Sequence, residues 1–469
     1  ATMYALFRMP FSKKTLSVLV LLCACPPGSL VLLLPATAWS FVGKGPPNVL
    51  LVTIDSLRPD HLGAYGYTLP TSPHIDRIAS EGTLFANAIS QGGWTSPALV
   101  SLFTSTYPSV HGVEARDDSF PCARNSVITT WLRAGYRVPA YEGIRTEHNY
   151  ARLGFEPQST YRFTLDALKS WIQANRSHPF FCWYHINKTP HLPYNPDTSL
   201  EALFLPKGFS ASAATKRRLE TVRTKVIIPK GSLDLQEEDR LPLIALYDGE
   251  VRMADEAVSE IYSFLAAQGL LDTTIFVITA DHGDELMDHG FIGHASTSLA
   301  GSLYDEIIHV PLILRYPAAI PSGRVVEQVV ESIDIMPTLL ELARLEAPPW
   351  VQGTSLLAAM RTGPAGDDKP AVAFSESCPC GYQCKADDPS RDVRLVSLRS
   401  SNWKLIVTHA QGASVSALYD LREDPRELRN VADKHAAIVD QLKDSLLTWY
   451  HENRLLRKAL EAECAGGTE

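Results

Sequence analysis

The sequence predicts an α/β protein: a mostly parallel central sheet with helices on both faces, then a small C-terminal antiparallel sheet and helix. Three observations carry that expectation. Four short, nearly all-apolar runs occur, "NVLLVTI" (48–54), "FFCWYHI" (180–186), "TTIFVITA" (273–280) and "HVPLILRY" (309–316). Bounded by turn residues, such runs read as strands buried on both faces, as parallel strands are. Helical periodicity lies between them, which is the alternation of an α/β sheet. Finally, a Pro- and Gly-rich stretch, "APPWVQGTSLLAAMRTGPAGDDKPA", separates this alternation from a different C-terminal pattern.

In chain order, Arg8, Lys13 and Lys14 precede an apolar stretch that ends in Ala36-Thr37-Ala38. This small-x-small ending reads as a secretory signal peptide over residues 1–38. The alternatives are a retained N-terminal anchor or a lipid on Cys23 or Cys25, with Cys25-Pro26-Pro27 interrupting any spanning helix. Each version places the rest outside the cytoplasm: periplasmic, extracellular or anchored on the outer side of a membrane. The first strand ends at Asp55. "TSPHIDRIASEG" predicts a helix with Ser72 as cap, Pro73 in its first turn and Gly82 as its stop. "GGWTSPALVSLFTSTYPSVHG" (92–112) predicts another, with Ser96 as N-cap and Pro97 at the first helical position.

The second strand ends near Asn187 and His191. Residues 207–240 are polar and poor in strand signals, so they read as a lid or an insertion over the site. Tyr247, Val251, Ala254, Val258, Ile261 and Leu265 recur at helical spacing, and Gly269 ends that run. The third strand ends at Asp281-His282. Beyond the break, "RLVSLRSSNWKLIVTH" and "ASVSALYDL" read as an antiparallel pair, followed by a helix from about Lys434. The division is therefore a leader (1–38), a catalytic domain (47–350) and a C-terminal subdomain (371–469).

The chain has 469 residues, 45% hydrophobic and 20% charged, enough for one large domain and a smaller one. Its formal net charge of -9, without a long basic run, excludes nucleic acid as the expected partner. Cys122, Cys182, Cys378, Cys380, Cys384 and Cys464 lie beyond the leader. An even number in an exported chain permits disulfides. "CPCGYQC" lacks a second half with zinc spacing, so disulfides or spare thiols are expected there.

In an open α/β sheet the ligand site lies beyond the carboxyl ends of the strands. Asp55, Asp281 and His282 all fall at such ends. Two carboxylates and an imidazole suit one divalent metal ion, and this donor set admits Mn, Ca, Mg or Zn. Asp-His-Gly is also ordinary turn chemistry, and Thr95 and Ser96 are also ordinary caps.

Those residues sit in motifs that resemble the sulfatase family of the alkaline phosphatase superfamily. The resemblance spans about Pro47 to Glu452, through "NVLLVTIDSLRPDHLGAYGY", "TPHLPY", "YDGEVRMADEAV", "TADHGDELMDHG", "LYDEIIHVPLILRYP", "SIDIMPTLLEL", "RSSNWKLI" and "LYDLREDPRE". Sulfatases carry Cys-x-Pro-Ser-Arg-x-x-Leu-x-Thr-Gly, whose Cys becomes formylglycine. Aligned on Pro97, Leu102 and Thr104, this chain has Thr95 at the Cys and Leu99 at the Arg. Ser56 replaces the second aspartate of the usual Asp-Asp pair, and no Gly-Lys-x-His segment follows "AGYRV".

The site motifs are similar to the threonine branch of that superfamily, lipoteichoic acid synthases and phosphoethanolamine transferases. That resemblance implies a Thr95 nucleophile, one divalent metal held by Asp55, Thr95, Asp281 and His282, and His191 and His294 facing the substrate. It implies double displacement at a phosphate or sulfate ester, with phosphoesters favoured. The substrate would be a small molecule or an envelope or glycan ester. The branch's transferases usually carry several membrane helices ahead of the catalytic domain, whereas one leader at most precedes it here. A hydrolase is therefore expected first, an envelope head-group transferase second, and a non-catalytic binding protein third. Arg58 and Asp60 are expected to fix the turn after Asp55, and Asp288 and His289 to support their loop.

Overall fold

The computed structural model describes residues 45–115, 118, 120, 126–141, 152–155, 164–362, 371–384 and 392–466; the expected leader over 1–38 lies outside the described residues. The first nine strands are β1 (Asn48–Ile54), β2 (Thr83–Ile89), β3 (Ala140–Tyr141), β4 (Phe181–Ile186), β5 (Thr274–Ala280), β6 (Glu285–Leu286), β7 (Ile292–Gly293), β8 (His309–Arg315) and β9 (Arg324–Glu331). Seven of them form one sheet in the order β3-β4-β1-β5-β8-β2-β9, and β6 and β7 form a small ribbon. Every residue of β1, β4 and β5 is buried, so both faces of the sheet centre are covered.

The parallel register sets the site. Ile54 lies beside Ile186 on one side and Ala280 on the other. The residues that follow, Asp55, Asn187 and Asp281, therefore leave the sheet at one edge. β8 corrects an expectation: it runs antiparallel to both β5 and β2. An all-apolar run reports burial on both faces but carries no direction. β2 and β9, which pair in parallel, were not anticipated.

Helices of eight residues or more among the described residues are α1 (Pro73–Ser80), α2 (Thr95–Thr104), α3 (Leu165–Asn175), α4 (Ala213–Thr224), α5 (Glu237–Ala267), α6 (Ile335–Leu342) and α7 (Ala436–Gly466). The polar segment 207–240 is thus partly helical. Arg218 on α4 forks onto Asp239 in the first turn of α5, at 2.5 and 2.8 Å. Beyond α4, the amides of Ile228 and Lys230 donate to the carbonyls of Thr297 and Ser298, both at 2.8 Å. The segment is therefore tied to the turn after His294.

The C-terminal sheet has four strands rather than the anticipated pair: β10 (Val372–Ser377), β11 (Arg394–Ser400), β12 (Trp403–Ala410) and β13 (Ala413–Asp420), all antiparallel in that order. One face packs Val396, Leu398, Leu405 and Leu418 with Val439, Leu446 and Trp449 of α7 and with Tyr107 and Ile333. The other face packs Ile406 and Tyr419 with Ile89, Ile307 and Val329. It thus shares its core with the central sheet. No described helix is long and apolar enough to cross a membrane.

Candidate active site

Thr95 reaches the site through a tight approach. A Cβ at Gly92 would lie 2.6 Å from the Ala98 nitrogen, so only glycine lets the chain fold back over the start of α2. The helix begins at Thr95 itself, with extended Trp94 at the N-cap and no side-chain cap hydrogen bond. This corrects the expected role of Ser96, which lies buried inside the first turn rather than capping it. The uncapped first turn leaves its amides and the helix dipole facing the place where an anion would sit.

The other groups converge on Thr95. Its Oγ1 lies 3.1 Å from His282 Nε2. That nitrogen is 3.6 Å from Asp55 Oδ1 and 3.4 Å from Asp281 Oδ2. His282 Nδ1 lies 2.8 Å from the Gly283 carbonyl, which accepts only from Nδ1–H, so Nε2 keeps its lone pair. Gly283 has no room for a side chain, since a Cβ there would lie 2.1 Å from the Glu306 carbonyl oxygen. Asp281 Oδ1 accepts from the amides of His282 (2.9 Å) and Ser56 (3.3 Å), which turns Oδ2 inward. Ser56, at φ 59, donates its hydroxyl to Asp55 Oδ1 at 3.0 Å. The residue at the position of the missing second aspartate therefore orients the first.

His185, not anticipated, belongs to this cluster. It pairs with Thr53 across β1 and β4, and its Nδ1 lies 2.7 Å from Thr53 Oγ1. Its Nε2 is 3.8 Å from Asp55 Oδ2. Asp55, His185 and Asp281 each offer a ligand atom within 4.8 Å of the others. The signal was a single imidazole near the end of an otherwise apolar run, one strand from Asp55.

His294 and His191 line one side. His294 stacks obliquely on His282, with ring centroids 4.3 Å apart, and His191 lies 5.3 Å from His294. Asp284, also not anticipated, holds His294 Nδ1 at 2.7 Å and accepts from the Tyr194 hydroxyl. His294 is fully enclosed, whereas His191 is half-buried.

Burial dominates the electrostatics. It pushes the Asp55 carboxyl well above the usual carboxylate range, helped by the neighbouring Asp281. Burial also acts to raise Asp281, but His282 and His185 outweigh it and hold that carboxyl down. Burial lowers His185 to about 4 and, with His282 and His191 beside it, holds His294 well below the usual imidazole range. Among the buried polar atoms left without a hydrogen-bond partner are Asp281 Oδ2 and His185 Nε2. Two buried lone-pair atoms without hydrogen-bond partners, facing a second carboxylate, fit a cation, because each unpaired buried polar group otherwise costs roughly 1–3 kcal/mol.

The residues around this centre do structural work. Arg58 forks onto Asp60 at 2.8 and 3.0 Å and reaches Asp288 at 2.7 Å and the Asp284 carbonyl at 3.0 Å. It ties the turn after β1 to the loop after β5. His289 sits against Glu285 at 3.1 Å and stacks on Tyr304, centroids 3.5 Å apart.

Known proteins resemble this chain along most of its described length. The sulfatase family model matches residues 47–345, and the model of the N-sulphoglucosamine sulphohydrolase C-terminal region matches residues 301–452. Arylsulfatase K of Xenopus laevis is 24% identical over 428 residues, covering 81% of this chain and 77% of that protein. The multifunctional alkaline phosphatase superfamily protein PehA of Trinickia caryophylli is 28% identical over 511 residues, covering 87% of this chain and 96% of its own. The crystal structure of the phosphonate monoester hydrolase of Agrobacterium radiobacter superposes with a TM-score of 0.68 at 22% identity, covering 87% of this chain and 96% of that one.

Proposed function

The chain belongs to the sulfatase family and is a sulfatase-like ester hydrolase, and we propose that it works through a covalent intermediate on Thr95 with one divalent metal ion. The observation that carries this reading is the contact of Thr95 Oγ1 with His282 Nε2 at an uncapped helix start, beside two buried carboxylates. Asp55, Asp281 and His282 would hold the ion (Mn, Ca, Mg or Zn), with Thr95 itself and the His185 Nε2 as further donors. Such an ion lowers the pKa of a hydroxyl and neutralises charge on an ester oxygen.

The chain's own groups supply the rest. Thr95 Oγ1, its proton lost to solvent water, attacks the ester centre in line. The first-turn amides of α2 hold the anionic oxygens. His191, the more exposed of the two facing imidazoles, protonates the leaving oxygen. His294, fixed by Asp284, orients the transferred group. Water then attacks the Thr95 ester and frees the hydroxyl.

Leu99 at the position of the sulfatase arginine favours phosphoesters over sulfate esters in this reading. The substrate class is a small-molecule or envelope or glycan ester. The leader pattern over 1–38 supports export, with 47–350 carrying the chemistry and 371–469 buttressing it. The test is one panel of aryl sulfates, phosphate monoesters and phosphate diesters with a common leaving group, run with each metal. Phosphoester turnover that needs both added metal and Thr95 is the expected result. Turnover unaffected by metal removal and by Thr95→Ala would overturn the reading.

A further inference from the structure

Three titratable side chains stand together outside the Thr95 cluster, and the proposed chemistry uses none of them. Glu285 lies in β6, His289 between β6 and β7, and Glu306 in the short helix Asp305–Ile308 ahead of β8. The loop after β5 is joined to that helix directly. The Gly283 amide donates to the Ile307 carbonyl at 2.7 Å, and a Cβ at Gly283 would lie 2.1 Å from the Glu306 carbonyl oxygen. This close approach sets Glu285 and His289 against Glu306.

Tyr304 fixes the plane of the His289 ring, stacking within 7° of parallel. His289 Nδ1 then lies 3.1 Å from both oxygens of Glu285 and 3.8 Å from Glu306 Oε2. The three residues each offer a ligand atom within 4.8 Å of the others. Donors about 2.0–2.2 Å from one ion stand roughly 3–3.6 Å apart, so the spacing is close to that of a ligand set. Glu285 is oriented from outside, since its oxygens accept from the Ser302 hydroxyl at 3.3 Å and the His289 amide at 3.2 Å. Glu306 is only 9% exposed, and its Oε2, facing His289, has no hydrogen-bond partner. Burial pushes its carboxyl up to about 8 against the pull of Arg58, whose own N–H groups go to Asp60, Asp288 and the Asp284 carbonyl. A buried carboxylate so placed takes up either a proton or a cation.

We infer that Glu285, His289 and Glu306 form a second divalent-metal site, for zinc, with no residue in common with the centre at Thr95. One imidazole nitrogen with two carboxylates suits zinc better than calcium or magnesium, which favour all-oxygen shells. His289 would coordinate through Nδ1 and carry its proton on Nε2. Ser302 and Tyr304, which touch Glu285 and His289, also line a cavity of about 190 Å³ with Thr408 and Tyr419 of the C-terminal sheet. Water from that side completes the shell. The bound ion would tie the loop that carries Asp281 and His282 to the helix ahead of β8. This inference does not depend on the reading of Thr95.

The test counts ions. The full-length protein is stripped with a chelator, dialysed against zinc and analysed by elemental mass spectrometry. Two ions per chain are expected in the wild type, one in Asp55→Asn/Asp281→Asn, one in Glu306→Gln, and none when the three changes are combined. In the Asp55→Asn/Asp281→Asn background, Glu306→Gln is expected to weaken zinc binding by more than about tenfold. His289→Gln serves as a second variant and should lose the same ion. X-ray absorption of zinc in that background, with the proposed site intact, is expected to show one imidazole nitrogen among oxygens. No zinc uptake there, uptake insensitive to both substitutions, or a shell with two imidazoles, as His185 and His282 would give, would overturn the inference. One ion in the wild type and in that background alike, lost with Glu306→Gln, would uphold it and overturn the metal centre at Thr95 instead.

Discussion

At Thr95, a hydroxyl one residue from another hydroxyl is asked to behave differently because of where the helix begins. Thr95 Oγ1 meets His282 Nε2, while Ser96 is enclosed in the first turn. Thr95→Ala is expected to lose essentially all turnover, and Thr95→Ser to retain part of it, because the hydroxyl survives. Ser96→Ala removes no cap, so it should shift stability by less than about 1 kcal/mol and keep most activity. Steady-state kinetics with folding checked by circular dichroism separates the three. Asp281→Asn and His282→Ala should lower metal affinity by more than about tenfold while the protein stays folded. His185→Asn should lower it too, since its Nε2 is a buried nitrogen without a hydrogen-bond partner. Metal titration by calorimetry reads all three, and unchanged affinity would remove the residue concerned from the site. The convergence of Asp55, Asp281 and His282 was legible because adjacent parallel strands end at one edge of the sheet. His185 and Asp284 were not, since their partners, Thr53 and His294, are fixed by register and by a loop reversal that spacing does not encode.

At the level of elements, the loop after β5 is held to the turn after β1 by Arg58 and Asp288. Burial raises the Asp288 carboxyl, but Arg58 outweighs it and draws the group from 3.8 to about 2. A carboxyl depressed in the folded state stabilises above its unfolded pKa and loses that contribution as pH falls through the folded value. The tie should therefore be fully present above about pH 4 and be lost toward about pH 2, with a contribution of about 2 kcal/mol. Asp288→Asn should lower stability at neutral pH and flatten the acid limb of a stability–pH curve from urea melts. An unchanged acid limb would show that the tie contributes nothing. The bounds of β1 were legible to the residue, and those of β4 and β5 to within one. The direction of β8 was not, because burial on both faces hides it. β2 escaped notice because "TLFANAI" includes two half-buried positions and a register shift against both neighbours.

For the whole molecule, the C-terminal sheet and α7 complete a core that includes Tyr107 and Ile333 from the preceding part of the chain. Trp449 stacks on Phe374, centroids 4.6 Å apart, and meets Tyr107 edge-on at 5.0 Å. Trp449→Ala should cost about 3–5 kcal/mol and lower one cooperative thermal transition. Two separate transitions in scanning calorimetry would contradict a shared core. The Pro- and Gly-rich stretch near 350–370 reads as a boundary in the sequence, whereas the docking of one sheet against the other depends on contacts hundreds of residues apart.

The account rests on a bond that forms between Thr95 and the transferred group. Its most direct measurement is acid-quenched mass spectrometry of the Thr95 peptide during turnover of the best panel substrate. The account predicts the mass of the transferred group on Thr95, appearing before steady state and absent in Thr95→Ala. The same mass located on Ser96, or undiminished turnover by Thr95→Ala, would contradict it.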